Sequence, residues 1–126
     1  MSGFGPRCLL RLQGVHPDLV RVATAALSTS LIPFIITEGV RSVERQAYLF
    51  TSGHSRTLRS AHLDGSAVDI AAFPDGKISW LFDDYLTISK AWKHHASLLG
   101  VPIIWGGDWP RFRDGPHFQL VKRVSA

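Results

Sequence analysis

Two histidines and two aspartates have the residue types and the order of a metal site. His62 lies in the stretch SAHLDGSAVDIAAF and is followed by Asp69, which stands between the apolar Val68 and Ile70. A carboxylate is costly to bury among apolar neighbours unless a cation or hydrogen bonds compensate its charge. Asp69 therefore needs a partner, and a bound cation is one candidate.

Two predicted strands carry these side chains on the face turned away from the core. Successive side chains alternate between the two faces of a strand. Residues 66–72 therefore direct Asp69 to one face and their large apolar residues to the other. The final strand, HFQLV, places His117 on the open face in the same way. The alternation predicts that both polar residues face one cleft.

His62, Asp69 and His117 together offer two imidazoles and one carboxylate. This is a normal donor set for catalytic zinc, whose fourth position is left for water. Asp114 precedes His117 by three residues across Gly-Pro, so a tight turn can bring a second carboxylate close without making it a ligand. Such a carboxylate can take a proton from the water and pass it to a leaving amine. The set predicts amide hydrolysis.

Each part of this set also has an ordinary structural explanation. A histidine and an aspartate seven residues apart commonly serve loops and caps, and Asp-Gly-Pro-His alone could be a turn before a strand. Other histidines, aspartates and the cysteine are assigned structural positions: helix starts for His16, Asp83 and Asp84, a turn for Asp64, a helix surface for His94 and His95, a loop for His54, and no site role for Cys8.

The elements that must position these residues alternate between helices and short strands. Pro17 suits the first turn of a helix over 17–29, and Ser42 can cap a helix over 43–52. The longest helical pattern starts at an aspartate of Asp83–Asp84 and is closed by Gly100. Strands are predicted at 31–37, 66–72, 103–105 and 117–121. This order predicts an α+β fold, with a small antiparallel sheet packed against helices and the zinc site in a cleft on its open face.

Length and composition fit one compact domain over residues 1–126. A single cysteine excludes an intrachain disulfide, and neither a membrane span nor a secretory signal is visible. The net charge of +4 and a sequence pI of about 9.7 favour anionic partners. The basic residues are scattered and form no recognition motif, so the sequence argues against nucleic acid as the partner.

Several motifs together resemble one known family. SAHLDGSAVD fits Ser-x-His-x-x-Gly-x-Ala-x-Asp, DGPHF fits Asp-x-x-His, and EGVRSVERQ contains Gly-x-Arg-Ser. With WGGDW and GVHPDL, these segments resemble the zinc D-alanyl-D-alanine carboxypeptidase and L-alanyl-D-glutamate peptidase family. The likeness is strongest to its small single-domain phage endolysins, and it spans about residues 12 to 121.

The resemblance implies a set of roles for individual residues. It implies one zinc ion per chain and a substrate contact or oxyanion-stabilising role for Arg41. Ser60 is expected near the metal site or the substrate, and Trp109, in the loop before the expected base, is expected to contact substrate. Val40 and Gln119 depart from the family pattern. The implied zinc ligands are His62, Asp69 and His117, and the implied general base is Asp114.

The resemblance also implies a substrate and a place of action. The expected activity is cleavage of the L-alanyl-D-glutamate bond in peptidoglycan stem peptides by a monomer, without nucleic acid or membrane insertion. The enzyme would wait in the host cytoplasm until lysis and then act on the cell wall. Two alternatives remain: a D,D-carboxypeptidase or dipeptidase on the same scaffold, and an inactive zinc- or peptide-binding module of a virion.

Overall fold

The computed structural model of the chain describes residues 3–53 and 60–121. In these ranges helices alternate with short strands, and single 3-10 turns lie at Ala61–Asp64, Pro74–Gly76 and Gly106–Asp108. The helices are α1 (Pro6–Arg11), α2 (Pro17–Thr29), α3 (Val43–Thr51) and α4 (Phe82–Leu99). The strands are β1 (Phe34–Glu38), β2 (Ala67–Ala72), β3 (Ile103–Trp105) and β4 (His117–Leu120).

The four strands form one antiparallel sheet in the order β1-β2-β4-β3. Strand β4 lies between β2 and β3, so the last strand along the chain is an inner strand of the sheet. This insertion places His117 directly opposite Asp69. The predicted α+β fold with a small antiparallel sheet is confirmed.

One face of the sheet packs against helices and forms the core. Paired residues such as Ile36 and Ile70, or Val68 and Phe118, share this face and are fully buried. Helix α4 covers them with Trp92, whose ring stacks on Phe118 with centroids 4.1 Å apart. Helix α2 packs against α4 in turn. Because the helices cover this face, the polar side chains of β2 and β4 lie on the other one.

Several predicted helix ends are confirmed. Helix α2 has the expected bounds, and the side chain of His16 caps its start by accepting from the Asp18 N–H at 3.1 Å. The Ser42 hydroxyl caps α3 by accepting from the Arg45 N–H at 3.0 Å. Gly100, with φ of 69°, ends α4 in the left-handed region that glycine enters without steric cost.

Other sequence predictions were wrong in detail. Strand β1 begins at Phe34 rather than at residue 31, because Leu31 is 89% exposed and Pro33, directly before Phe34, has no N–H to donate. Neither predicted aspartate caps α4: Leu81 holds the cap position, and Asp84, within the first turn, accepts a hydrogen bond from the Ser79 hydroxyl.

Two further points complete the fold. Helix α1, a six-residue element that buries Cys8 against β1, was not predicted from the sequence. Among the described residues, none of the helices combines the length and apolar character needed to cross a bilayer.

Candidate metal centre

Three predicted ligands meet on the sheet face opposite the core. Nδ1 of His117 lies 3.2 Å from Oδ1 of Asp69, and Nε2 of His62 lies 3.3 Å from the same oxygen. One donor atom from each residue falls within 4.8 Å of the others, in the only such group found in residues 3–53 and 60–121. The side chain of Asp69 is 21% exposed, so the group is open to solvent on one side.

His62 presents an unpaired nitrogen to this group. Its Nδ1 lies 2.9 Å from the Gly39 carbonyl, and a carbonyl only accepts, so Nδ1 carries the proton. Nε2 is then a lone-pair donor, and this buried atom has no hydrogen-bond partner among the described residues. A buried polar atom without a partner is costly. A cation held between His62 and Asp69 would satisfy it.

His117 is held in the complementary way. Its Nε2 lies 2.8 Å from Oε1 of Gln119 and donates to this amide oxygen. Nδ1 lies 3.2 Å from Oδ1 of Asp69: it donates to this carboxylate when protonated, and when unprotonated its lone pair is available to a cation. Both histidines are thus fixed from behind by a protein acceptor, as metal-binding histidines usually are. The donors and their orientations fit a zinc ion.

The electrostatics of the group keep a negative charge at its centre. Burial acts to raise the pKa of Asp69, but the adjacent imidazoles of His117 and His62 favour its charged form, outweigh burial and hold that pKa well below its usual range. Burial acts to lower the pKa of His117, and the bond to Asp69 raises it overall. Asp69 is therefore ionised at neutral pH and available as an anionic ligand.

Asp114 lies beside the group without joining it. Its backbone N–H donates to the Gly106 carbonyl at 3.0 Å, and its carbonyl accepts from the His117 N–H at 3.1 Å. Its carboxylate is not among the three clustered donors. Burial, followed by the negative charge of Asp69, raises the pKa of Asp114 above its ordinary value. A carboxylate with a raised pKa is a stronger base.

Gly106 is a contributor that sequence reasoning did not single out. A methyl group built on it would lie 2.4 Å from the carbonyl oxygen of Asp114 and 3.1 Å from Cβ of both Asp114 and His117. The WGGDW segment therefore packs its first glycine directly against the turn that carries the expected base and ligand. The motif was visible in the sequence, but only the structure shows what the missing side chain makes room for.

The remaining expected site residues surround the same group. The Ser60 hydroxyl accepts from the His62 N–H at 3.2 Å and so caps the turn that carries His62. The Trp109 ring lies 5.2 Å from the His117 ring, centroid to centroid, and is half-buried. Arg41 is 9% exposed and contacts Asp69. Contact of these residues with substrate stays a prediction.

A family model described as phage L-alanyl-D-glutamate peptidase matches residues 1–121 of the chain. The chain belongs to this family. The L-alanyl-D-glutamate peptidase of Escherichia phage T5 is 33% identical over 124 residues, which cover 95% of this chain and 89% of that protein. The peptidoglycan L-alanyl-D-glutamate endopeptidase CwlK of Bacillus subtilis (strain 168) is 33% identical over 129 aligned residues. The alignment covers 85% of this chain and 74% of that protein.

The chain is also similar in three dimensions to a solved structure. The crystal structure of the Serratia marcescens L-Ala D-Glu endopeptidase ChiX superposes with a TM-score of 0.89 at 49% sequence identity. The match covers 94% of this chain and 89% of that one. The fold of this family member is therefore that of an L-alanyl-D-glutamate endopeptidase.

Histidines and acids outside the centre of this family member have structural contacts. Asp64 accepts from the Ser66 N–H in a turn, as expected. His94 is exposed, but His95 is half-buried and its Nε2 lies 2.8 Å from the Thr29 hydroxyl, which links α4 to α2 rather than leaving a free surface residue. His54 lies outside the described residues.

Proposed function

We propose that this chain is a zinc-dependent endopeptidase that hydrolyses the L-alanyl-D-glutamate bond of peptidoglycan stem peptides. The observation that carries the proposal is the His62–Asp69–His117 group, in which one nitrogen of each histidine faces the same carboxylate oxygen of Asp69. The chain that carries this group belongs to a family whose members are named for cleavage of the L-alanyl-D-glutamate bond.

The chain's residues divide between holding the ion and moving a proton. His62, Asp69 and His117 would hold one zinc ion, which when bound acidifies water and polarises a carbonyl. Asp114 takes a proton from the attacking water while the oxygen of that water adds to the L-alanyl carbonyl carbon. It returns that proton to the amine nitrogen of D-glutamate as the carbon–nitrogen bond breaks. The raised pKa of Asp114 suits both transfers.

Two neighbours of the ligands fit a peptide substrate. Trp109 offers a flat apolar surface beside His117, and Ser60 stabilises the turn that carries His62. Asp69 remains partly exposed, which leaves room for a carbonyl to approach the centre. We place the substrate on this side of the sheet.

The test is mass analysis of fragments released from purified peptidoglycan. We expect new amino groups on D-glutamate and stem peptides freed after L-alanine, and no release by a His117→Ala control prepared in parallel. Release of terminal D-alanine alone would instead favour the D,D-carboxypeptidase alternative. A zinc-loaded protein that binds peptidoglycan and cleaves nothing would favour the binding module.

The proposal extends to the place of action. The chain would work as a monomeric single domain over residues 1–126 that stays in the host cytoplasm until the inner membrane is permeabilised. Its relatives include a phage peptidase, and its net charge of +4 suits an anionic wall. Expression in intact cells should leave them unlysed until the membrane is opened, for example with chloroform.

A further inference from the structure

A charged network behind Asp69 joins β1 to the candidate metal centre. The Arg41 guanidinium donates from Nε to Oε1 of Glu38 and from Nη2 to Oε2, both at 2.9 Å. This is the bidentate geometry in which arginine binds carboxylates most specifically. The same Nη2 donates to Oδ2 of Asp69 at 3.4 Å, and Nη1 donates to Gln46 at 2.6 Å. One bond from Nε, one from Nη1 and two from Nη2 occupy four of the five N–H groups.

The path of β1 explains why an arginine is needed here. The pairing of β1 with β2 shifts between Ile36 and Glu38, and the shift brings Glu38 opposite Asp69. Like charges directly opposite each other in a sheet are destabilising. Arg41, with a side chain only 8% exposed, pairs with both carboxylates and offsets their mutual repulsion. A buried guanidinium in turn needs charged partners.

The network divides the two oxygens of Asp69 between different tasks. Oδ2 faces Arg41, while Oδ1 lies 3.2 and 3.3 Å from the histidine nitrogens. Rotation of the carboxylate would therefore break contacts on both sides. The segment from Gly39 to Arg41 also holds His62. The Arg41 N–H donates to the His62 carbonyl at 2.9 Å, and the Gly39 carbonyl accepts from the His62 ring.

We propose that Glu38 and Arg41 are positioning residues for the metal centre: their bidentate pair fixes the carboxylate of Asp69 with Oδ1 toward the ion. This inference rests on the proposed zinc-dependent function. In this inference Arg41 orients an expected metal ligand. Glu38 also gains a role, although the motif that contains it gave it none. Its consequence is that weakening the pair lowers zinc affinity before any substrate is present.

The deciding experiment compares Glu38→Gln with Glu44→Gln. Both remove one carboxylate from the same region, but Glu44 is an exposed residue in the first turn of α3 that forms no ion pair among the described residues. Zinc affinity is measured on metal-free protein by competition with a chromophoric chelator. The visible absorption of cobalt-loaded protein reports ligand geometry independently. Circular dichroism confirms that each variant is folded.

We expect Glu38→Gln to bind zinc about 10–100-fold more weakly than the unchanged chain, as for other groups that orient metal ligands. Its cobalt spectrum should change, and Glu44→Gln should match the unchanged chain in both measurements. Arg41→Lys is the second variant, since lysine keeps the charge but cannot form the bidentate pair. It should show the same loss, and it decides the matter if Glu38→Gln is poorly folded.

Zinc affinity of Glu38→Gln or Arg41→Lys within twofold of the unchanged chain would overturn the inference. A loss confined to KM, with affinity intact, would also overturn it and return Arg41 to direct substrate binding. Failure of the proposed function looks different: the unchanged chain itself would then bind no zinc or cleave no L-alanyl-D-glutamate bond. The two failures are read from different samples.

Discussion

At the scale of single residues, the proposed centre has expected ligands that would hold an ion and an expected base, Asp114, that would move a proton. His62 offers a lone pair to the cluster, whereas Asp114 lies next to it through backbone bonds to Gly106 and His117. The two kinds of residue should therefore fail in different ways when they are removed.

Asp114→Ala should keep zinc and lose catalysis, because general-base assistance is typically worth about 10²–10⁴-fold. His62→Ala should lose zinc and activity together, because a ligand both places the ion and activates its water. Bound metal and the rate of wall lysis are measured on the same two samples. Loss of zinc from Asp114→Ala would make Asp114 a ligand. A near-normal rate would move the search for the base to Asp108, which pairs with Lys93 at 2.7 Å.

Gln119 should matter for metal binding although it is not a ligand. Its amide oxygen fixes the His117 ring, so Gln119→Leu should weaken zinc affinity about 10–100-fold. Gln119→Glu keeps an acceptor at this position and is the matched control, with affinity close to that of the unchanged chain. Equal zinc affinity in all three proteins would show that zinc binding does not depend on the hydrogen bond between His117 and Gln119.

The shared face of Asp69 and His117 could be predicted from the sequence because strand alternation alone places them there. Their supporting partners could not. Glu38 lies opposite Asp69 only because the β1 register shifts, and the bond from His117 to Gln119 depends on how the two side chains are turned. The spacing of residues along the chain predicts neither a shift of strand register nor the orientation of a side chain.

At the scale of elements, a close approach between two loops sets the position of the expected base. The Gly106 turn passes directly against the segment that carries Asp114 and His117. Gly106→Ala should push this segment away and lower both zinc affinity and activity. Gly5→Ala is the control, because a methyl there meets nothing within 4 Å and φ is −72°. Unchanged zinc binding in Gly106→Ala would mean that the segment can yield without consequence.

Tyr85 ties α4 to the sheet by a buried hydroxyl. The hydroxyl donates to the Ser79 carbonyl at 2.7 Å and accepts from the Ala72 N–H at 3.1 Å. Tyr85→Phe leaves the buried Ala72 N–H and the partly buried Ser79 carbonyl without this partner and should lower the free energy of unfolding by about 1–3 kcal/mol at neutral pH. Denaturant unfolding measures the loss.

The advantage of Tyr85 should disappear in alkali. Burial, opposed by the bond from Ala72 and aided by the charge of Asp84, raises the pKa of Tyr85. The folded state thus favours the neutral phenol, and this stability is fully present below the unfolded pKa of about 10 and is lost as pH rises through the folded value. The difference between the unchanged chain and Tyr85→Phe should shrink above pH 10. A constant difference would contradict the assignment.

Helices with clear end signals were the predictable elements. Pro17 at the start of α2 and Gly100 after α4 each act through local backbone geometry, and both predictions held. Helix α1 has only six residues, too few for an apolar period to stand out, and its packing against β1 is a long-range contact. The start of α4 was misplaced because Asp84 bonds to Ser79 rather than to the helix end.

At the scale of the whole molecule, the ion should contribute to stability as well as chemistry. A ligand that binds only the folded state stabilises it by about 2.7 kcal/mol at a free concentration 100 times its Kd. Chelation should therefore lower Tm by several degrees, and added zinc should restore it. Differential scanning calorimetry tests this, with His62→Ala as a control that responds to neither treatment. A Tm indifferent to zinc in the unchanged chain would argue against a bound ion.

The position of β4 in the sheet has a consequence for biosynthesis. A ribosome must translate through residue 120 before β2 and β3 can be joined, because the strand that separates them is made after both. Until then the growing chain has open strand edges and only two of the three clustered donors. We therefore expect folding to be completed late and nearly all at once. An unfinished chain would carry no peptidase activity inside the cell that makes it, and proteases would find it an easy target.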